Sequence, residues 1–244
     1  MERETSTYRE DSKAVLALFD IDGTLLHPGA GARQSLAQAL SEELEQSITL
    51  EPGDCAGKTD ILIISNILLK AGCLIQEMQE LIEATIDRYI ELLKVNYNAQ
   101  KDAHLYEGVT EILDELQSLP NVYLALLTGN VEIGARIKLE PFGLNDVFPT
   151  GAFGNDGFLR TDLSRIAVSR SEAYYGVQFL PKQIIVIGDT EEDVKCGKVI
   201  NARTMAVAQH LRNEEEIRAM KPDYFFHGFN NTKDIIKAIL DTSY

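Results

Sequence analysis

The chain has 244 residues, of which 45% are hydrophobic and 25% charged, the proportions of a folded protein with a sizeable core rather than a disordered one. Lys and Arg number 23 against 38 Asp and Glu, a net charge of −15 at pH 7. The mean field therefore repels phosphate backbones and anionic lipid, which argues against nucleic acid and membrane surfaces as partners. A small anion would have to be held locally, by a metal ion, backbone N–H groups or a few placed cations.

Cys55, Cys73 and Cys196 lie far apart with no Cys-x-x-Cys spacing, which argues against a zinc site or a disulfide framework. They read as reduced thiols of a cytoplasmic protein. Residues 1–12 carry no apolar segment of a secretory signal. The longest apolar runs, such as 14–19 and 61–64, are too short to cross a bilayer.

In chain order, residues 14–19 form a continuous apolar run of strand length that stops at Asp20-Ile21-Asp22-Gly23. Such a run suits a strand covered on both faces, as in a parallel sheet. The next 75 or so residues contain almost no strand-like run. Segments 35–46, 60–71 and 76–96 read as helices, the last with Met78, Leu81, Ile82, Ile86, Ile90 and Leu93 at helical spacing, which predicts a small helical core. From residue 106 the pattern alternates. A helix with Val109, Ile112, Leu113 and Leu116 on one face precedes a strand at 122–127, which ends at Thr128-Gly129-Asn130. A helix carrying Ile133, Ile137 and Leu139 stops at Pro141-Phe142-Gly143, and another helix spans 163–175. A strand at 184–187 ends at Gly188-Asp189-Thr190, followed by a helix at 193–200, weaker strands at 204–208 and 223–226, and a last helix at 231–240 capped by Asn231 or Thr232. The alternation predicts an α/β fold: a doubly wound, parallel, Rossmann-like sheet formed by 1–26 and 104–244. The helices of 27–103 are predicted to form an inserted cap over the sheet's C-terminal edge.

Three apolar strands thus deliver small polar residues at their C-terminal ends. Asp20 and Asp22 can serve as covalent nucleophile and as general acid/base two residues on. An anionic nucleophile approaches a phosphoryl group only if charge is neutralised, and a hard divalent cation on carboxylates does that. Asp189 and Asp193 are one helical turn apart and can face one ion. Thr128, Gly129 and Asn130 offer a hydroxyl and unhindered N–H groups where a strand meets a helix, an anion site.

This set resembles the haloacid dehalogenase-like (HAD) superfamily of aspartate-based phosphohydrolases, over nearly the whole chain. Asp20-Ile21-Asp22-Gly23-Thr24-Leu25 matches its first motif, Thr128 the second, and Gly188-Asp189 with Asp193 the fourth. The resemblance implies Asp20 as nucleophile and Mg²⁺ ligand, and Asp22 as acid/base with its carbonyl oxygen on the metal. It implies Asp189 on Mg²⁺, with Asp193 bound directly or through water. The helical insert looks like the C1 cap of phosphoglycolate-phosphatase-like members. The stretch 127–144 also looks like a bacterial subgroup of these.

The third motif, a cation at the start of the helix before the fourth strand, lacks its usual Lys-Pro pair. Arg160 is the preferred candidate, ahead of Arg165, with Arg170 and Lys182 also in the region. In the insert, Lys58 either contacts the leaving part of a substrate or points to water while Thr59 or Asp60 caps a helix. His27 either lines the entrance or is a plain loop histidine. His104, His210 and His227 show no metal spacing, and Glu214-Glu215-Glu216 reads as a solvated helix start.

The expected activity is a Mg²⁺-dependent phosphatase acting on a small phosphate monoester, phosphoglycolate-like or a sugar phosphate. The alternatives are a phosphomutase using the same aspartyl-phosphate, a C–P or C–halogen hydrolase, and a catalytically silent regulatory module. Asp22 argues against the bond-cleaving pair, whose family members lack the second acid. The intact acidic set argues against the silent module. Whether the chain acts as monomer or dimer is left open.

Overall fold

The computed structural model describes residues 9–10, 13–97, 102–209 and 214–242. The stretch 1–12 is therefore almost wholly outside the described residues, as is His210.

Three apolar runs form the centre of the sheet. β1 (Arg9–Glu10) is a short outlying strand, and β2 (Val15–Phe19) follows it, entirely buried. β3 (Leu26–His27) leads into the helices α1 (Gly31–Glu43), α2 (Pro52–Cys55), α3 (Asp60–Lys70) and α4 (Met78–Asn96). β4 (His104–Leu105) brings the chain back, pairing antiparallel with β3. Then come α5 (Val109–Ser118), β5 (Val122–Leu127), α6 (Glu132–Leu139), β6 (Gly151–Ala152) and α7 (Leu163–Tyr175). β7 (Val177–Gln178), β8 (Ile184–Gly188), α8 (Glu191–Val199), β9 (Arg203–Val207), α9 (Glu214–Ala219), β10 (Tyr224–Phe226) and α10 (Thr232–Leu240) complete it.

Six strands make one parallel sheet in the order β10-β9-β8-β2-β5-β6. Alternate residues serve opposite faces. Val15, Ala17 and Phe19 pack with α5 and α10 through Ile112, Leu116, Ile235 and Ile239. Leu16 and Leu18 pack with α7 and α8 through Leu163, Ala167 and Cys196. β2 is the strand from which the chain departs to both sides, so its C-terminal end is the topological switch point where open α/β sheets bind ligands. Register fixes what stands there. Phe19 lies opposite both Leu126 and Ile187, so Asp20, Thr128 and Asp189 leave the sheet within one residue of the same level.

The helices α1, α3 and α4 share their own core of Leu36, Leu40, Ile64, Leu68, Tyr89 and Leu93, closed by Val131 from the loop before α6. This part joins the sheet through the two-residue ribbon β3–β4, where His27 and His104 stack at 5.3 Å. The end of α1 lies earlier than the hydrophobic pattern predicts, and so does its start. Ser35 does not cap it: its hydroxyl donates to the Gly31 carbonyl one turn back, inside the helix. At the other end of the chain Asn231 makes no side-chain cap for α10 and donates instead to Asp234.

Candidate active site

The backbone after β2 explains the first cluster. Asp20 N–H donates to the Ile187 carbonyl, and the chain then turns so that the N–H groups of Leu25 and Leu26 both return to the Ile21 carbonyl. Gly23 makes that turn with φ +89°, and a Cβ there would stand 2.2 Å from a carboxylate oxygen of Asp189. No other residue fits. The turn thus closes the first strand's loop over the third's, and Thr24 donates its hydroxyl to Asp189 at 3.2 Å.

Oxygens of Asp20, Asp189 and Asp193 lie within 4.8 Å of one another. Asp193 is the third residue of α8. Its Oδ2 accepts from Thr190 N–H and hydroxyl, in a capping box that starts the helix two residues before the predicted boundary. Its Oδ1 accepts from Arg160 Nη2 at 2.6 Å, and the same nitrogen lies 2.7 Å from Asp20 Oδ1. Arg160 is buried, at the short helical turn (Arg160–Asp162) that precedes α7. Of the other cations considered for this place, Arg165 and Lys182 are exposed and Arg170 pairs with Asp156 at 2.5 and 2.7 Å.

Burial pushes the Asp20 carboxyl up to about 7, offset in part by Arg160 and reinforced by Asp193 and Asp22. Burial, with Asp193 and Asp20 beside it, holds Asp189 well above the ordinary carboxylate range. Burial opposes the charge of Arg160, but Asp193 and Asp20 outweigh it and hold the guanidinium firmly protonated. Four carboxylates, Asp20, Asp22, Asp189 and Asp193, stand at the strand ends against two buried cations, Arg160 and Lys138. The excess of negative charge and the all-oxygen donor set fit a hard divalent cation on Asp20 and Asp189, with Asp193 at its edge.

Lys138 was not foreseen. Its ammonium lies 2.5 Å from Asp22 Oδ2 and 2.6 Å from Asn130 Oδ1, and the Asn130 amide donates to Asp22 Oδ2 and to Thr128 Oγ1, both at 2.9 Å. Of the apolar residues that marked α6 in the sequence, Ile133 is 58% exposed, and the buried face is Gly134, Ala135, Lys138 and Leu139. A lysine three and four residues from small side chains on a helix's inner face was the available signal.

The segment Gly57-Lys58-Thr59-Asp60 docks on the strand-end loops. Asp60 N–H donates to the Gly129 carbonyl at 2.8 Å, Asp60 Oδ2 accepts from Val131 N–H at 2.8 Å, and the Thr59 hydroxyl donates to the Phe158 carbonyl. Gly129 is required at this contact, since a Cβ would stand 2.1 Å from the Lys58 carbonyl oxygen. Thr59 also caps α3 by accepting from Leu62 N–H. The Lys58 ammonium donates to the Gly53 and Asp54 carbonyls at the end of α2 rather than to the carboxylate cluster. His27 stands in the β3–β4 ribbon, stacked on His104 and accepting from Gly29 N–H. His227 is exposed near Glu214, in the first turn of α9.

A family model described as haloacid dehalogenase-like hydrolase matches residues 17–207. The chain belongs to that family. Among characterised relatives of this HAD-like hydrolase, a phosphoglycolate phosphatase of Agrobacterium fabrum is 30% identical over 191 residues, 75% of this chain and 76% of the relative. The pyrophosphatase PpaX of Halalkalibacterium halodurans is 24% identical over 221 residues, 90% of this chain and 95% of the relative. Among solved structures, a predicted phosphoglycolate phosphatase from Haemophilus somnus aligns with TM-score 0.68 at 20% identity, covering 92% of this chain and 99% of that one. CbbY from Rhodobacter sphaeroides, solved in complex with phosphate, aligns with TM-score 0.69 at 17% identity, covering 88% and 95%. These two likenesses are of fold. None of the described helices of the HAD-like hydrolase is long and apolar enough to cross a membrane.

Proposed function

We propose that this HAD-like hydrolase is a cytoplasmic, Mg²⁺-dependent phosphatase that cleaves a small phosphate monoester through an aspartyl-phosphate on Asp20. The observation that carries the reading is the triangle of carboxylates at the switch point: Asp20, its carboxylate against Arg160, within 4.8 Å of Asp189 and Asp193. The names of the relatives, a phosphoglycolate phosphatase and a pyrophosphatase, support phosphorus–oxygen bond hydrolysis.

Asp20, Asp189 and Asp193, with the Asp22 carbonyl, would hold Mg²⁺, which when bound neutralises the carboxylates and draws the substrate phosphoryl group to them. The chain's own residues do the rest. Arg160 aims Asp20 and offers its guanidinium to the non-bridging oxygens. Thr128, Gly129 and Asn130 supply further donors to the same group. The Asp20 oxygen attacks phosphorus as the ester oxygen departs with a proton from Asp22. Asp22 then takes a proton from the water that cleaves the acyl phosphate. Residues 27–103 serve as the cap. Its 57–60 segment docks beside the phosphate loop and, with His27 at the entrance, bears on the leaving group. Lys58 acts there through its backbone, its ammonium being engaged on α2.

The test is phosphate release from p-nitrophenyl phosphate and a panel including phosphoglycolate, pyrophosphate and sugar phosphates, with Mg²⁺ and with EDTA. Metal-dependent release is expected, with an alkyl monoester preferred. Transfer between positions of a sugar phosphate without net release would instead indicate a mutase. Metal-independent release would contradict the reading.

A further inference from the structure

Asp22 is held by one oxygen only. Oδ2 takes the Lys138 ammonium and the Asn130 amide, while Oδ1 is buried and takes no hydrogen bond from the described residues. Lys138 is itself 4% exposed and sits at the seam between the sheet and the helical segment. Burial favours its neutral form, but Asp22 and Asp60 together outweigh that and keep it an ammonium. Asp60 belongs to the docked segment, where Val131 N–H and the Gly129 carbonyl fix it. Asp22 is the carboxylate in ion-pair contact with the Lys138 ammonium.

Resting on the phosphatase reading, we propose that Lys138 is a positioning residue for the acid/base. With Asn130 it pins Asp22 Oδ2, so that Oδ1 is the oxygen that carries and delivers the proton. In the step so positioned, the Asp20 oxygen forms its bond to phosphorus while the phosphorus–oxygen bond of the ester breaks. The proton on Asp22 Oδ1 passes to that ester oxygen, and the alcohol leaves neutral. A pinned carboxylate has fewer orientations to lose before transfer, the entropic form of preorganisation.

The test compares two esters through kcat/KM, which reports phosphoryl transfer to Asp20 and is blind to later hydrolysis. An activated aryl ester, p-nitrophenyl phosphate, needs little protonation; the alkyl phosphate turned over fastest in the panel needs it fully. Lys138→Met is expected to lower kcat/KM for the alkyl ester about 100-fold and for the aryl ester less than about 5-fold. Equal losses on both esters, the mark of a merely structural role, would overturn the proposal, as would a larger loss on the aryl ester. Because an unpaired Asp22 can prevent folding of that variant, Asp22→Asn is compared with Asp22→Asn/Lys138→Met. The same alkyl-to-aryl ratio in both is expected; a further fall in the double variant would show Lys138 acting on the substrate instead. Release from neither ester by the wild-type enzyme would remove the phosphatase reading and this role together.

Discussion

Arg160 shows how one side chain organises the site. Its Nη2 is shared between Asp20 and Asp193, so it fixes the Asp20 carboxylate and ties α8 to the turn before α7. Replacing it leaves two buried carboxylates without their cation, and breaking a buried pair on one side is costly. Arg160→Ala is therefore expected to lower phosphatase activity by about 10²–10³-fold, while Arg165→Ala, on an exposed side chain, stays near wild type. Steady-state kinetics on the best ester decides it, and the reverse ranking would move the phosphate-binding cation elsewhere. That Arg160 would lie beside Asp20 was legible because the motif's expected place before a helix left only a few cations to weigh. Lys138 was not, because a lysine in an amphipathic helix is ordinarily solvated. Only the fold shows that Asp22 and Asn130 meet its ammonium on the inner face of α6.

At the scale of elements, the three long strands were readable because each is apolar throughout and ends in a polar cluster. The shared level of those ends follows from the register, which a sequence does not print. The two-residue strands β1, β3, β4, β6 and β7 were missed: a pair of residues carries no period, and tertiary pairing alone makes them strands. The docking of 57–60 on the loop after β5 was also invisible, since its partners across the contact are backbone groups of Gly129, Val131 and Phe158. Gly129 is its tightest contact. Gly129→Ala sets a methyl carbon 2.1 Å from the Lys58 carbonyl, so the segment must lift away. The expected result is a fall in kcat/KM of at least about tenfold, with thermal stability reduced by about 1–3 kcal/mol, the usual cost of overpacking. Kinetics and thermal unfolding on one preparation measure both. Wild-type values for each would show that the seam opens freely.

The whole molecule carries a net charge of −15 and concentrates carboxylates where the sheet ends. Folding lifts Asp20 to about 7 and Asp60 to about 6 by burial, and Asp189 well above its ordinary value. An acid whose pKa rises on folding binds more protons folded than unfolded, so its contribution to stability falls as pH rises from about 4 through about 7. The metal-free protein is thus expected to melt lower at pH 7.5 than at pH 5. Mg²⁺ would bind the deprotonated set, so its stabilising effect is expected to grow across the same window. At about 100 times its Kd the ion adds about 2.7 kcal/mol, a Tm rise of roughly 5–11 °C for a domain of this size. Asp189→Asn is expected to abolish that rise. A Tm indifferent to Mg²⁺ at pH 7.5 would contradict the metal site.

The central claim is that Asp20 itself takes the phosphoryl group. The most direct measurement quenches the enzyme during turnover of its best ester, reduces the protein with borohydride, and maps the peptides by mass spectrometry. An acyl phosphate is reduced to the alcohol, so homoserine is predicted in place of Asp20, only when substrate and Mg²⁺ are both present. An unmodified Asp20, with the ester consumed and the same label absent from every other carboxylate, would contradict a covalent mechanism.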